Sequence, residues 1–224
     1  MRADEQIAIL VPDGAYPLVL SAFLKERTKS IGLRRVAFEI VKDAFRDSSR
    51  EAVELLRPFQ RQCSHALIIR DLHGSGWEDM GATELEERLK NEMIESGWNG
   101  EFCGAIVVEP EIEAWLRFDS SHLHQMIRDR ARRKMEWEQL LLGPLIDGTI
   151  EKHGGKNSHG KPVQPKEAFE ELLRYFGIQR SNALYGHLAG VESLKGCTVA
   201  SFNRLNQRLR AWFPDHSNPH QPNS

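Results

Sequence analysis

The sequence predicts an α/β fold with a mostly parallel four-stranded sheet, helices on both of its faces and a helical C-terminal extension. Two observations predict this fold. Short apolar runs alternate with amphipathic segments between residues 6 and 120, as in folds whose parallel sheet is covered on both faces. The length of 224 residues suits one such domain, and 40% hydrophobic with 28% charged residues excludes a disordered chain, a collagen and a coiled coil.

The first half of the chain supplies the predicted sheet and its helices. Strands are predicted at 6–11, 36–41, 65–70 and 104–108. Apolar runs of this length, bounded by Gly, Pro or Asp, are typical of buried strands. Helices are predicted at 17–30, 48–62 and 83–96, and a further helix is expected to start near Ala114. Ser48 and Thr83 each precede a glutamate by three residues, which is the pattern of a helix-capping box.

The second half of the chain differs in pattern. Residues 121–142 are predicted to be helical, residues 147–165 to form a Gly-, His- and Lys-rich loop, and residues 166–176 and 198–213 to form helices. The tail after Phe213 contains no core-forming residue and is predicted to be mobile. We therefore divide the chain into an α/β core over 1–120, a basic helical extension packed on that core over 121–213, and a tail over 214–224.

Charge and hydropathy narrow the class of protein. No apolar run approaches the roughly 18–20 residues of a membrane span, and the N-terminal apolar run is too short for a signal peptide. A cytoplasmic protein without a membrane partner is expected, whose three widely spaced cysteines are reduced and mostly buried. Residues 1–151 carry a net charge of −7 and residues 152–224 of +5. This split fits a metal-holding core beside a phosphate-facing surface, although chance surface patterning predicts it equally well.

Acidic residues follow three of the predicted strands. They are Asp13, Asp71, Glu109, Glu111 and Glu113. Because parallel strands place their carboxyl ends at one edge of the sheet, these carboxylates are expected to meet and to repel one another. A hard divalent cation would offset that repulsion, which points to Mg²⁺ or Mn²⁺ and a phosphate-bearing substrate. The alternative is that acids end these strands only because loops are polar.

A family resemblance supports the metal interpretation. The chain contains Asp13-Gly14, then Asp71-Leu72-His73, and then the stretch from Glu109 to Leu116 that includes Glu-x-Trp-Leu. This arrangement resembles the Toprim fold of topoisomerases, primases and overcoming-lysogenisation-defect nucleases. It resembles more specifically small stand-alone Toprim-like proteins found beside bacterial phage-defence and restriction genes. The later Pro165-Lys166 and the helix near Cys197 and Phe202 are also similar to that family.

The resemblance implies roles for individual residues. Asp13 would be the general acid/base and Glu113 a further catalytic carboxylate, while Asp71, His73, Glu109 and Glu113 would hold Mg²⁺ or Mn²⁺. Two departures from the family pattern matter here. Asp13 replaces a glutamate, and His73 replaces the second aspartate of Asp-x-Asp. Imidazole is a poor ligand for Mg²⁺ but an acceptable one for Mn²⁺, so the site either prefers a softer metal or has lost catalysis while keeping the scaffold.

Basic residues are the candidates for nucleic-acid contact. Arg128 and Arg132 share a face at helical spacing, Lys156 and Lys161 lie in a glycine-rich loop, and Lys166 follows that loop. Ion pairs with nearby acids, or a plain surface loop, are the alternatives. The stretch from Gly155 to Pro162 nearly matches a phosphate-binding P-loop, but Pro162 occupies the place of the required hydroxyl residue.

Three functions remain open at this stage. The first is a metal-dependent phosphodiester hydrolase acting on DNA or RNA, in bacterial anti-phage defence. The second is a catalytically degenerate accessory subunit with other defence-system proteins as partners. The third is a small nucleotide-handling protein that uses the basic loop. The sequence does not determine the oligomeric state.

Overall fold

The sheet is entirely parallel. The computed structural model describes residues 6–12, 14–43, 49–132, 141–192 and 197–215. Its strands are β1 (Gln6–Pro12), β2 (Ala37–Asp43), β3 (His65–Asp71) and β4 (Cys103–Val108). They form one sheet in the order β2-β1-β3-β4, with parallel pairing between all neighbours. The predicted α/β fold and its four strands are therefore confirmed.

Eight α-helices surround the sheet in the described ranges. They are α1 (Tyr16–Glu26), α2 (Ser49–Leu56), α3 (Ala82–Glu95), α4 (Ser121–Arg130), α5 (Leu142–Lys152), α6 (Pro165–Tyr175), α7 (Asn182–Val191) and α8 (Ala200–Trp212). None of the helices in these ranges is long and apolar enough to cross a bilayer. All three cysteines are unpaired and buried, as the sequence predicts.

Helices cover both faces of the sheet because side chains alternate along each strand. Ile7, Ile9 and Val11 of β1 belong to a large apolar core that also contains buried residues of α1 and of α4 to α8. Ala8 and Leu10 point to the other face, where they pack with buried residues of α2 and α3. The helices after residue 120 thus share one core with the sheet, and α8 packs directly against β4.

Several predicted element boundaries are wrong. The helix expected near Ala114 is only the short 3-10 helix Ile112–Trp115. The loop expected at 147–165 begins later, because α5 continues to Lys152 and buries Ile146 and Ile150 in the core. Helix α7 was not predicted, since its two glycines lower its helix propensity.

Other differences arise from tertiary contacts. The capping box at Thr83 does not form: Gly81 caps α3, and the buried Glu86 carboxylate accepts hydrogen bonds from the Val107 amide at 2.8 Å and from Arg204 Nε at 2.9 Å. The first residues of the predicted tail contact the core, because the Asp215 backbone amide donates a hydrogen bond to the Gly32 carbonyl at 3.1 Å. Residues 216–224 of that tail lie outside the described ranges.

Glycines in α7 allow this helix to pack closely on α1. A Cβ atom at Gly186 would lie 2.9 Å from Leu18 Cβ, whereas one at Gly190 would lie 3.8 Å from Ala22 Cβ. We expect Gly186→Ala to lower the free energy of unfolding by roughly 1 kcal/mol, because overpacking costs about 1–3 kcal/mol and improved helix propensity returns up to about 1 kcal/mol. Gly190→Ala should instead be neutral or stabilising. Urea denaturation of both variants measures this, and equal stabilisation by both would contradict the close α1–α7 packing.

Candidate active site

The carboxyl edge of the sheet carries a cluster of acids from β3 and from the segment after β4. Asp71 ends β3 and is in register with Val108, the last residue of β4. The Leu72 amide donates to the Val108 carbonyl at 2.9 Å, and the His73 amide donates to the Pro110 carbonyl at 3.3 Å. Pairing thus continues beyond the strands and holds Asp71 beside the segment that carries Glu111 and Glu113.

Asp71 is a partly buried carboxylate with a neutral partner. The Tyr16 hydroxyl, at the start of α1, donates a hydrogen bond to Asp71 Oδ1. Burial raises the pKa of Asp71 to about 7, and the charges of Glu111 and Glu113 add to this rise. The Tyr16 hydrogen bond and the positive charge of Lys166 lower the pKa of Asp71 and so act in the opposite direction. No cationic side chain in the described ranges forms an ion pair with Asp71.

Glu113 is held firmly in place by two groups from the C-terminal half. It is 2% exposed, and its Oε1 accepts a hydrogen bond from the Tyr185 hydroxyl at 2.8 Å and lies 3.5 Å from Arg180 Nη2. Burial raises the pKa of Glu113, while the Tyr185 hydrogen bond and the Arg180 charge oppose the rise. Burial and the nearby Glu113 charge also raise the pKa of Tyr185, which keeps this hydroxyl protonated as a donor.

Glu111 forms the third part of the cluster. Its Oε2 lies 2.9 Å from Lys166 Nζ, at the start of α6. This hydrogen bond raises the pKa of Lys166 and keeps the amine charged. Lys166 was predicted to contact nucleic acid, and it lies among the acidic residues of the sheet edge. Among the described residues, Lys166 and Arg180 are therefore the cations that pair with this carboxylate cluster.

A small crevice of about 100 Å³ adjoins Asp71. It is lined by Pro12 of β1, Asp43 of β2, and Arg70, Asp71 and His73 at the end of β3. The chain leaves β1 toward β2 on one side and returns to β3 on the other, so the crevice lies at the topological switch point where open α/β sheets bind ligands.

One nitrogen of Arg70 in this crevice lacks a hydrogen-bond partner. Arg70 Nη2 donates to Asp43 Oδ2 at 2.6 Å, and both side chains are 5% exposed. Arg70 Nη1 is buried without a partner among the described residues. Buried polar atoms in native proteins are nearly always hydrogen-bonded. Arg70 Nη1 therefore marks a position where it would donate a hydrogen bond to a water molecule or to a ligand oxygen.

The predicted site residues are distributed unevenly. Asp71 and Glu113 lie in the carboxylate cluster, and the exposed His73 lines the crevice next to Asp71. Glu109 is exposed. Asp13 lies outside the described ranges. In the parts of the chain that are described, no group of three or more His, Cys, Asp or Glu side chains is placed so that it could hold a metal ion.

The predicted nucleic-acid-binding residues do not form one surface stripe. Helix α4 ends at Arg130 and Ala131 is extended, so Arg128 and Arg132 do not share a helix face as predicted. Both arginines are exposed. In the loop after α5, Lys156 Nζ pairs with Asp147 at 2.7 Å and Lys161 Nζ donates to the Leu116 carbonyl at 3.2 Å.

Three functional candidates have no signal in the sequence. They are Tyr16, Arg180 and Tyr185. They come from α1, the segment before α7, and α7, and only the tertiary fold brings them to the sheet edge. Glu111, in contrast, is among the acids that the sequence analysis expects at this edge.

Comparisons of the chain with protein-family models, with curated proteins and with solved structures found no significant match.

Proposed function

We propose that this protein is a cytoplasmic, divalent-metal-dependent phosphodiester hydrolase that acts on nucleic acid. The observation that carries the proposal is the state of Asp71. This carboxylate is partly buried, lies near Glu111 and Glu113, and has a neutral tyrosine as its hydrogen-bond partner. A partly buried anion among other anions is unfavourable unless a cation compensates it.

The donor set fits a hard cation. Mg²⁺ and Mn²⁺ prefer oxygen ligands, and Mg²⁺ is commonly held by only one or two carboxylates together with substrate phosphate. Asp71 with one further side chain, a neighbouring glutamate or His73, would hold such an ion, and ligation by His73 at the crevice would favour Mn²⁺. This mode does not require a group of three protein ligands, which the described residues lack. When bound, the metal would lower the pKa of a water molecule and neutralise charge on the scissile phosphate.

The remaining residues of the cluster would position the substrate and the acids. Lys166 and Arg180 are partly exposed cations next to the carboxylates, with side-chain exposures of 35% and 49%. Both could turn from their glutamate partners toward a phosphate oxygen, and arginine suits this role because its planar fork matches phosphate geometry. Tyr16 and Tyr185 hold Asp71 and Glu113 in fixed orientations. The similarity to Toprim-like proteins of phage-defence loci makes anti-phage defence the proposed setting.

Metal-dependent cleavage is the direct test. Purified protein should take up Mn²⁺ in a calorimetric titration and cut single- or double-stranded DNA or RNA in Mn²⁺ but not in EDTA. Mg²⁺ should support slower cleavage, because the nitrogen ligand His73 suits Mn²⁺ better. Metal uptake without cleavage of any of these polymers would contradict the hydrolase.

A second candidate function is a catalytically inactive accessory subunit of a multi-protein defence system. Two ion pairs favour it: Lys166 already neutralises Glu111, and Arg180 already lies beside Glu113. In that case the protein itself supplies the cations that a metal would otherwise supply. The same calorimetric titration separates the two functions, because the accessory subunit should bind no Mn²⁺ and should instead copurify with a partner protein.

A further inference from the structure

A second cleft of the described structure is lined by none of the residues of the carboxylate cluster. It has a volume of about 490 Å³. One wall is the segment from Leu116 to Asp119, a second is α5, and a third is the loop from Lys156 to Pro162 that sequence analysis identified as a near match to a P-loop. None of the residues lining this cleft belongs to the proposed hydrolytic site.

The walls of this cleft combine an apolar floor with a polar rim. Ile146 and Ile150 of α5 lie on the floor, together with Phe118. Lys156 and Lys161 lie on the rim. Small-molecule sites of about 300–1,000 Å³ have this composition, in which apolar surface buries the body of a ligand and a few polar groups orient it.

The rim carries more positive than negative charge. Lys156 pairs with Asp147, and Arg117 Nε lies 3.6 Å from Asp119. Exposed pairs of this kind contribute only about 0–1 kcal/mol, so an incoming anion can displace them. Lys161 Nζ is held by the Leu116 carbonyl and forms no ion pair with a carboxylate among the described residues. It is the uncompensated positive charge of the cleft.

The lysine loop is held in a fixed conformation. Asn157 Oδ1 accepts hydrogen bonds from the backbone amides of His159 and Lys161, both at 3.0 Å. The Asn157 amide in turn donates to the Lys161 carbonyl at 2.7 Å. Lys161 therefore lies in a turn that these hydrogen bonds hold in one conformation, so ligand binding would lose less conformational entropy there.

A buried ring nitrogen faces no protein partner. His124 of α4 lines the cleft, and its Nε2 atom is buried without a hydrogen-bond partner in the described ranges. Buried side-chain polar atoms without partners are rare and mark a place for a water molecule, an ion or a ligand atom. This nitrogen is a second, independent indication that a polar group of another molecule belongs in the cleft.

We propose that this cleft binds a phosphorylated small molecule of the size of a nucleoside monophosphate. The phosphate lies at the rim with Lys161 and Lys156, and the flat apolar part lies on Ile146 and Ile150. This binding function is separate from phosphodiester hydrolysis, because it uses neither Asp71 nor its neighbours. The proposal agrees with the nucleotide-handling function that the sequence analysis left open for the basic loop. It does not require a P-loop, which Pro162 excludes.

Two glycines of α5 provide a matched test of the cleft. Gly143 lines it, and a Cβ atom there would meet nothing within 4 Å. Gly148 on the same helix is exposed, does not line the cleft, and is equally open to a Cβ atom. Gly143→Leu should therefore fill cleft space without disturbing the fold, and Gly148→Leu should change only the outer surface.

The experiment is isothermal titration of the full chain with AMP, GMP, CMP and UMP in EDTA, which prevents metal-mediated binding at the carboxylate cluster. At least one of the four should bind with a Kd on the order of micromolar to tens of micromolar. Gly143→Leu should weaken that binding at least about tenfold, and Gly148→Leu should leave it within about twofold. Lys161→Gln should weaken it about tenfold or more, because a charge-assisted hydrogen bond is lost.

Three results would overturn the proposal. The first is that none of the four monophosphates binds below millimolar concentration. The second is that the Gly143 and Gly148 variants bind alike. The third is that the parent nucleoside binds as tightly as its monophosphate, which would exclude a phosphate contact. Asp71→Asn should bind the nucleotide like the wild type, so loss of hydrolysis in that variant leaves this inference unaffected.

Discussion

Asp71→Asn is expected to reduce metal-dependent cleavage about 10³-fold. The asparagine keeps the shape of the side chain and one oxygen for the Tyr16 hydroxyl, but it removes the negative charge that would hold the cation. A catalytic metal supplies several kcal/mol of charge stabilisation, and each 1.36 kcal/mol corresponds to a tenfold change in rate. Cleavage rates of wild type and variant over a Mn²⁺ titration measure the effect. Asp129→Asn, at an exposed carboxylate outside the cluster, is the matched control and should cleave at the wild-type rate.

The same variant has a second readout that excludes unfolding as the cause. The folded-state pKa of Asp71 is raised to about 7 from 3.8, so without metal the folded protein binds more protons than the unfolded chain between these values. Asp71 therefore makes the wild type less stable as pH rises from about 4 to 7. The asparagine variant should lose this decline and become more stable relative to wild type at pH 8 than at pH 4. A constant stability difference across that range, or unchanged cleavage, would contradict the role of Asp71.

Sequence reasoning located this site through the parallel sheet alone. Once residues 65–70 and 104–108 are taken as neighbouring parallel strands, Asp71 and the acids after residue 108 must share an edge. That inference needs only hydrophobic pattern and strand direction. It could not identify Tyr16, Arg180 or Tyr185, because their positions depend on how α1 and the C-terminal helices pack.

Helices α5 and α7 show why element boundaries were harder to predict. Helix α5 contains Gly143, Pro144 and Gly148, which lower helix propensity, yet the burial of Ile146 and Ile150 outweighs this cost. Helix α7 uses Gly186 for close packing against Leu18. In both helices, residues that lower the helix propensity are compatible with tertiary packing or are required for it. A single sequence does not reveal these packing contacts.

The ion pair that lines the crevice gives the second large effect. Asp43 ends β2 and Arg70 lies one residue before the end of β3, on the two strands that flank β1. Their side chains lie 2.6 Å apart and are each 5% exposed. Asp43→Ala leaves the Arg70 guanidinium buried without this carboxylate, and breaking a buried pair in this way costs about 3–5 kcal/mol. That loss is a large share of the roughly 5–15 kcal/mol by which a domain of this kind is stable. Urea denaturation should therefore show a marked fall in the midpoint.

An exposed pair in the same protein provides the contrast. Glu54 and Arg57 lie 3.1 Å apart with exposures of 54% and 64%, so Glu54→Ala should change the free energy of unfolding by no more than about 0.5 kcal/mol. Replacing both members of the buried pair, Asp43→Leu with Arg70→Met, should recover much of the loss, because no charge is then left in the interior. Equal effects of Asp43→Ala and Glu54→Ala would mean that water reaches Arg70. In that case Arg70 Nη1 would donate its hydrogen bond to water, and its lack of a protein partner would not indicate a ligand oxygen.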